Sequence, residues 1–402
     1  MKKMKQMKLS CLFIVLLAAA LFTGAAFAGE TREFTDDLGR TVTIPVEIDS
    51  AAPSGSLAQM IIYAVSPDAL ATVASAPTSG EKAYLDPRLQ TLPVTGNLYG
   101  SKSTMNPEAI MQLDAKLGFD VIIDLGTAKK DIREDLDAIE KQTGETFVFI
   151  SQDELKDYPT SFRRMGELLN QPETAEKQAV YLENLLAESE SGMAKVGDKV
   201  SMIYVTMVDG NSVYLIGSGE KSEHGDVIDL VAVNAAPKAA SSKGIGDAYS
   251  MEDILMLDPD YIIVGQPDSR DYYAQIMSSP SWKSLRAVQE GHVYVSPKNP
   301  YPWMGNPRSV NRFLSLMWLE QLFYPEVFDF NLQERVTEFY DLFYHHTLTD
   351  AEYQELTQNA FAKSGEKKSA EAEAGAEKSP VPVFGVIAGA AAAGVFCLRK
   401  RK

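Results

Sequence analysis

One helix–strand unit occurs twice in this chain, and that repetition constrains the fold more than any other feature. The first copy is Asn106-Pro-Glu-Ala-Ile-Met-Gln-Leu followed by Asp120-Val-Ile-Ile-Asp. The second is Ser250-Met-Glu-Asp-Ile-Leu-Met-Leu followed by Asp260-Tyr-Ile-Ile-Val-Gly. Each reads as a short capped helix, a turn and a buried strand. Asn106 and Ser250 are side chains that accept from the free N–H groups of a first helical turn, and Pro107 suits the first helical position. Two copies about 144 positions apart predict two lobes of like fold. Bilobal proteins of this kind hold small ligands in the crevice between lobes. Chance likeness of two short units is the other reading of the same residues.

Strand-like and helix-like segments alternate along the whole body, which predicts α/β layers. The strand candidates are Ala71–Ser75, Val121–Asp124, Thr146–Ile150, Val200–Thr206, Val213–Ile216, Tyr261–Val264 and His292–Ser296. Between the repeats lies a connector: a helical Thr160–Asn170, a restart at Pro172, then Glu173–Lys195 with no proline and Gly192 as its one glycine. A helix of that length spans about 34 Å, enough to bridge two domains, and a rigid bridge limits lobe motion. The expected division is an N-terminal α/β lobe at 29–158, connecting helices at 159–197 and a C-terminal α/β lobe at 198–362. Asn306–Pro325 is strongly apolar and predicts a packed core helix.

The two ends carry different signals. Residues 1–28 have a basic start, an apolar run and Ala26-Phe27-Ala28, the layout of a cleaved secretory signal peptide rather than of a retained anchor. No lipobox-like ending follows Cys11. Residues 363–379 are charged and of low complexity, a composition that predicts a disordered stalk. Residues 380–402 end in an apolar run and the cluster Arg399-Lys400-Arg401-Lys402, which predicts a C-terminal membrane anchor or sorting tail with the body outside the membrane. Lysines and arginines crowd these ends, so the body is more acidic than the net −17 of the whole chain. A nucleic-acid binder needs a basic face, and that partner is excluded. Cys11 and Cys397 both lie in the end segments, leaving the body no thiol for a disulfide, a metal or nucleophilic chemistry.

Several blocks together carry a family resemblance over residues 33–345. Phe34-Thr-Asp-Asp-Leu-Gly-Arg-Thr-Val-Thr-Ile-Pro looks like an opening hairpin, and Tyr63-Ala-Val-Ser-Pro-Asp-Ala-Leu-Ala-Thr-Val a turn into a strand. The paired Glu-x-Ile-x-x-Leu units follow, then Tyr214-Leu-Ile-Gly-Ser-Gly with Gly225-Asp-Val-Ile-Asp-Leu. In this order they resemble the substrate-binding proteins of ABC importers for iron–siderophore complexes and cobalamin. The first Glu unit departs slightly, with Ala115-Lys-Leu-Gly-Phe where the family has a shorter turn. The resemblance implies two Rossmann-like lobes joined by one long helix, with a ligand cleft between them. It implies an extracytoplasmic protein that captures a chelate and delivers it to a permease and its ATPase. No covalent cofactor and no resident metal are implied. The block from Asn306 to Asp350 is similar to a subgroup assigned to iron and, in some relatives, nickel. That favours a metal chelate over cobalamin; the expected ligand is a ferric siderophore, with cobalamin, haem or a nickel chelate as the alternatives.

By that resemblance Glu108 and Glu252 project from the two lobes and pair with permease arginines. A carboxylate accepts bidentate arginine bonds, and two spaced points fix orientation. Read without the resemblance, both are helix-start acids favoured by the helix dipole. The cleft should be lined by loops at strand ends, which makes Ser54, Tyr99, His224, Tyr301, Trp303 and Arg308 the candidate ligand residues. Tyr99, Tyr301 and Trp303 could stack on a chelator or macrocycle, and Arg308 could pair with an anionic chelate. The structural alternatives are a core anchor for Trp303, a helix brace for Arg308 and a solvated loop imidazole for His224. An enzyme is disfavoured because no G-x-S-x-G, P-loop or strand-borne G-x-G-x-x-G occurs, and the histidines sit in unpromising contexts. A surface adhesive module is the remaining class, against which the duplicated lobes argue.

Overall fold

The computed structural model describes residues 30–98, 104–219, 225–240, 244–265, 267, 270–305 and 307–361. The leader, stalk and tail expected from the sequence lie outside these residues, as do Tyr99 and His224. Hairpin β1 (Thr31–Thr35) and β2 (Thr41–Pro45) opens the chain. Its turn is closed by Asp36, whose carboxylate accepts from the Arg40 guanidinium at 2.8 Å. Gly39 supplies the positive φ of +72° that the turn requires.

The first lobe is built on β3 (Ala51–Pro53), α1 (Ser56–Val65), α2 (Ser79–Tyr84), α3 (Pro107–Leu117), β4 (Val121–Gly126), α4 (Ile132–Thr143) and β5 (Phe147–Ser151). Its sheet is parallel, in the order β3-β4-β5. The predicted strand at Ala71–Ser75 forms only single bridges, Ala51 with Leu70 and Val73 with Val94. Val73 accepts from Thr95 and donates to Pro93, which has no N–H with which to continue the ladder.

Two helices follow, α5 (Tyr158–Leu168) and the long α6 (Pro172–Met193). The long helix is the predicted bridge. Gly192 is required near its end because a Cβ there would lie within 3 Å of the Phe328 ring. The second lobe contains β6 (Ser201–Asp209), β7 (Ser212–Leu215), α7 (Asp226–Val231), β8 (Val233–Asn234), β9 (Asp247–Ser250), α8 (Met251–Leu257), β10 (Tyr261–Val264), α9 (Tyr272–Ser278), α10 (Arg286–Gln289) and β11 (Val293–Val295). These strands form a mixed sheet in the order β11-β10-β6-β7-β9, with β8 also paired to β6. Strands β6, β10 and β11 run parallel, while β7 is antiparallel to both neighbours.

Three helices end the body: α11 (Arg312–Phe323), α12 (Leu332–Tyr344) and α13 (Asp350–Leu356). The apolar helix expected from residue 306 begins at Arg312, because Asn311 turns its amide back to accept from and donate to the preceding loop at Ser309, Pro302 and Pro307. These helices do not stay with the second lobe. The Tyr63 hydroxyl on α1 donates to the Tyr344 carbonyl at 3.1 Å, and Gln178 on α6 donates to Ala64 and Leu342 carbonyls at 2.6 and 2.8 Å. One apolar core therefore runs through both lobes and the bridge, and a smaller core covers the outer face of each sheet. The alternation is visible in β4, where Val121, Ile123 and Leu125 face the shared core and Ile122 faces outward into the small one. Among the described residues no helix is long and apolar enough to cross a membrane.

Candidate functional site

A cleft of about 570 Å³ opens between the lobes. The first lobe contributes Ser56 and Gln59 from α1, Ser75, and Thr78, Gly80 and Glu81 around the start of α2. The second contributes Tyr204, Thr206 and Met207 from β6, Gly265 after β10, Tyr272 from α9 and the run from Ser296 to Pro302.

The first-lobe wall is held by local bonds. Gln59 is a lone amide in the apolar helix Ser56–Val65, and its Oε1 accepts from the Ala74 N–H at 2.7 Å. Thr78 and Glu81 form a reciprocal helix cap: the Thr78 N–H donates to Glu81 Oε2 at 2.8 Å, and the Glu81 N–H donates to Thr78 Oγ1 at 3.2 Å. Gly80 is required by close approach, since a Cβ there would lie within 3 Å of the Asn299 side chain of the opposing loop. That contact brings the Ser296–Pro302 run against α2.

Tyr301 lies where the walls meet. Burial pushes its phenol well above the ordinary value, the charge of Glu81 and a hydrogen bond to Glu81 add to the rise, and a bond from Gln59 opposes it. Gln59, Glu81 and Tyr301 thus form a buried polar group on the cleft floor. Tyr204 is buried beside it, and burial raises its phenol too. Otherwise the lining is mostly aromatic, proline and hydroxyl. Lys298 supplies a cation that already has interactions of its own. Such a surface suits a ligand with an apolar or aromatic body and a few polar groups.

The sequence-predicted residues disperse across the structure. Tyr301 is in the cleft. Ser54 is buried behind it, donating to Asp124 Oδ1 at 2.5 Å. Trp303 is fully buried and packs edge-on against Trp318, with ring centroids 6.4 Å apart, so the core-anchor reading describes its position. Arg308 lines a different cavity, of about 540 Å³, with Asp153, Glu154, Asp226 and Asp229. It donates to the Asp153 carbonyl at 3.2 Å and to Thr127 Oγ1 at 3.1 Å, tying the segment after the cleft to the first lobe. Glu108 and Glu252 are exposed in the first turns of α3 and α8, each after the predicted cap, Asn106 or Ser250. Gln59, Glu81, Tyr204, Tyr272 and Asn299 were not among the predicted residues. The single signal for Gln59 was an amide inside an apolar run; for Glu81 it was the capping-box spacing Thr78-Ser-Gly-Glu81.

Residues 120–300 match the model of the periplasmic binding protein family. Over the body, the chain is similar to two solved structures. An ABC transporter solute binding protein from Sulfurospirillum deleyianum is 24% identical over 81% of this chain and 99% of that one, with a TM-score of 0.71. A periplasmic solute binding protein from Veillonella parvula is 26% identical over 82% and 97%, with a TM-score of 0.66. The iron-uptake system-binding protein of Bacillus subtilis is 33% identical over 84 residues, which is 20% of this chain and 26% of that protein. The two-lobed fold and the reading as a binding protein rather than an enzyme agree with this family and these neighbours.

Proposed function

We propose that this chain is the extracytoplasmic substrate-binding component of an ABC importer and that its ligand is an iron chelate, a ferric siderophore. The cleft between the lobes carries the reading. At about 570 Å³ it has the size of a site for an organic molecule rather than for a bare ion. Its rings, from Tyr204, Tyr272 and Tyr301, offer faces to a chelator. Iron is supported by the short match to the iron-uptake binding protein.

In this reading the lobes close modestly over the chelate, since the α6 bridge and the helices returning to the first lobe restrict a wide swing. Glu108 and Glu252 then dock the loaded shape on the permease through its arginines. Residues 1–28 direct export, and residues 380–402 tether the body to the outer face of the membrane. No covalent step is needed; function is affinity plus recognition of the closed form.

The test is a thermal-shift screen of the purified full-length chain against ferric siderophores, haem, cobalamin and nickel–histidine. A ligand at one hundred times its dissociation constant adds about 2.7 kcal/mol to stability. A shift with a ferric siderophore alone supports the proposal. A shift with one of the other three moves the ligand class, and no shift with any of them counts against the importer reading. Charge reversal of both glutamates is expected to abolish uptake and leave ligand affinity intact.

A further inference from the structure

We infer that the docking face is amphipathic and lopsided: Leu255 and Met256, beside Glu252, form an apolar anchor for the membrane permease, with Met111 beside Glu108 as its weaker counterpart. The inference rests on the proposed importer function and deepens it. In both repeated units the isoleucine two positions after the glutamate, Ile110 or Ile254, is fully buried. That residue seats each helix on its lobe, so the glutamate and the residues three and four places later share the outward side.

On that side the side chains are apolar. Met111 is 40% exposed and Leu255 39%. Met256 is 77% exposed, more than any other large apolar side chain among the described residues. Scattered apolar exposure is ordinary on protein surfaces. An exposed methionine or leucine at the same offset from both glutamates is not scattered, and the second unit adds Met256 where the first has Gln112.

Charge complementarity names the partner. The two carboxylates call for a cation at each contact, and the apolar neighbours call for an apolar side chain beside that cation. The carboxylates would steer the approach and set its salt dependence, while the buried apolar contact would set how long the complex lasts. The unequal anchors also make the two lobes non-interchangeable. A partner offering two similar half-sites would be gripped more firmly by the second lobe.

The experiment uses the full-length chain and the importer's own permease–ATPase complex in lipid nanodiscs, with binding kinetics followed at low and high salt. Leu255→Ser with Met256→Ser is expected to speed dissociation about tenfold or more, with the association rate and its salt dependence kept. Met111→Ser is expected to speed it about threefold. Glu108→Gln with Glu252→Gln is expected to slow association and flatten its salt dependence. Thermal unfolding of each variant checks that the fold is kept, as these exposed positions predict. Unchanged dissociation in the double serine variant, alongside slowed association in the glutamine variant, overturns the anchor and leaves the importer function standing. Self-association of the free chain that the serine variant abolishes would assign the face to a second copy and also overturn it. A wild-type chain that binds neither a ferric siderophore in the thermal screen nor the nanodiscs would remove the importer function itself.

Discussion

The bridge between the lobes and the cleft beside it are made of the same kinds of residues used in opposite ways. In the bridge, the terminal N–H groups of buried side chains are aimed at partners inside the protein. Gln178 clasps two carbonyls from separate helices, and the Arg312 guanidinium joins Asp226 of α7 to the hydroxyl of Tyr158 at the start of α5. Arg308 does the same at the neighbouring cavity. In the cleft, Gln59, Glu81 and Tyr301 hold one another while the surface around them opens to a cavity. Polar groups that satisfy each other across lobes fix a geometry. Polar groups that satisfy each other beside a void leave capacity for a ligand.

The sharpest break of that comparison is Arg312→Ala. Arg312 is fully buried, and its loss removes the guanidinium partner of the partly exposed Asp226 carboxylate and of the buried Tyr158 hydroxyl. Losing charge-assisted hydrogen bonds of this kind costs about 1.5–3 kcal/mol, and the void left by a fully buried side chain adds to it. Urea denaturation should show that loss, with ligand affinity of the folded protein unchanged; full stability would mean the bridge does not depend on this joint.

Next is a pH effect confined to the bridge. Burial among α6 and α11 pushes the Glu320 carboxyl up to about 8, partly opposed by a bond from Ser189. From the ordinary carboxylate value up to about pH 8, the unfolded chain gives up a proton that the folded chain keeps. Stability should therefore fall as pH rises through that window, by at most about 1.4 kcal/mol per pH unit. Glu320→Gln should flatten the slope of unfolding free energy against pH. A slope identical to that of the unsubstituted chain would show that this carboxyl is not held protonated.

Within the cleft, Tyr301→Phe removes the hydroxyl that joins Glu81 to Gln59. Ligand affinity is expected to fall about tenfold, near 1.4 kcal/mol, while unfolding changes by about 1 kcal/mol. Calorimetric titration separates these effects, and an unaltered dissociation constant would return Tyr301 to a structural role. The smallest effect is expected from Arg308→Ala. Its bonds to Asp153 and Thr127 across the lobes are among those lost, about 1 kcal/mol of stability, with ligand affinity within about twofold. A large loss of affinity there would mean that Arg308 acts on the ligand and not on the bridge.

How much of this was readable beforehand depends on the range of the interactions. Continuous apolar runs such as Val121-Ile122-Ile123 and Tyr261-Ile262-Ile263-Val264 became buried parallel strands, because burial on both faces demands that composition. Caps worked equally well: the Asn106 side chain accepts from the Ala109 N–H, and Ser250 forms a reciprocal cap with Asp253. Ala71–Ser75 carried the same apolar signal, yet its neighbour strand could not continue the ladder past Pro93.

The chain's own sequence determined two repeated helix–strand units, a long bridge and the composition of the core. Each of these follows from spacing and side-chain type within a few turns of chain. Tertiary structure alone decided which polar groups meet. Glu81 and Tyr301 come together across 220 positions because Gly80 lets the Asn299 loop lie against α2, and Trp303, two residues from Tyr301, turns instead into the core against Trp318. Neighbours in sequence part here and distant residues join, because packing selects by shape and burial, which local sequence does not encode.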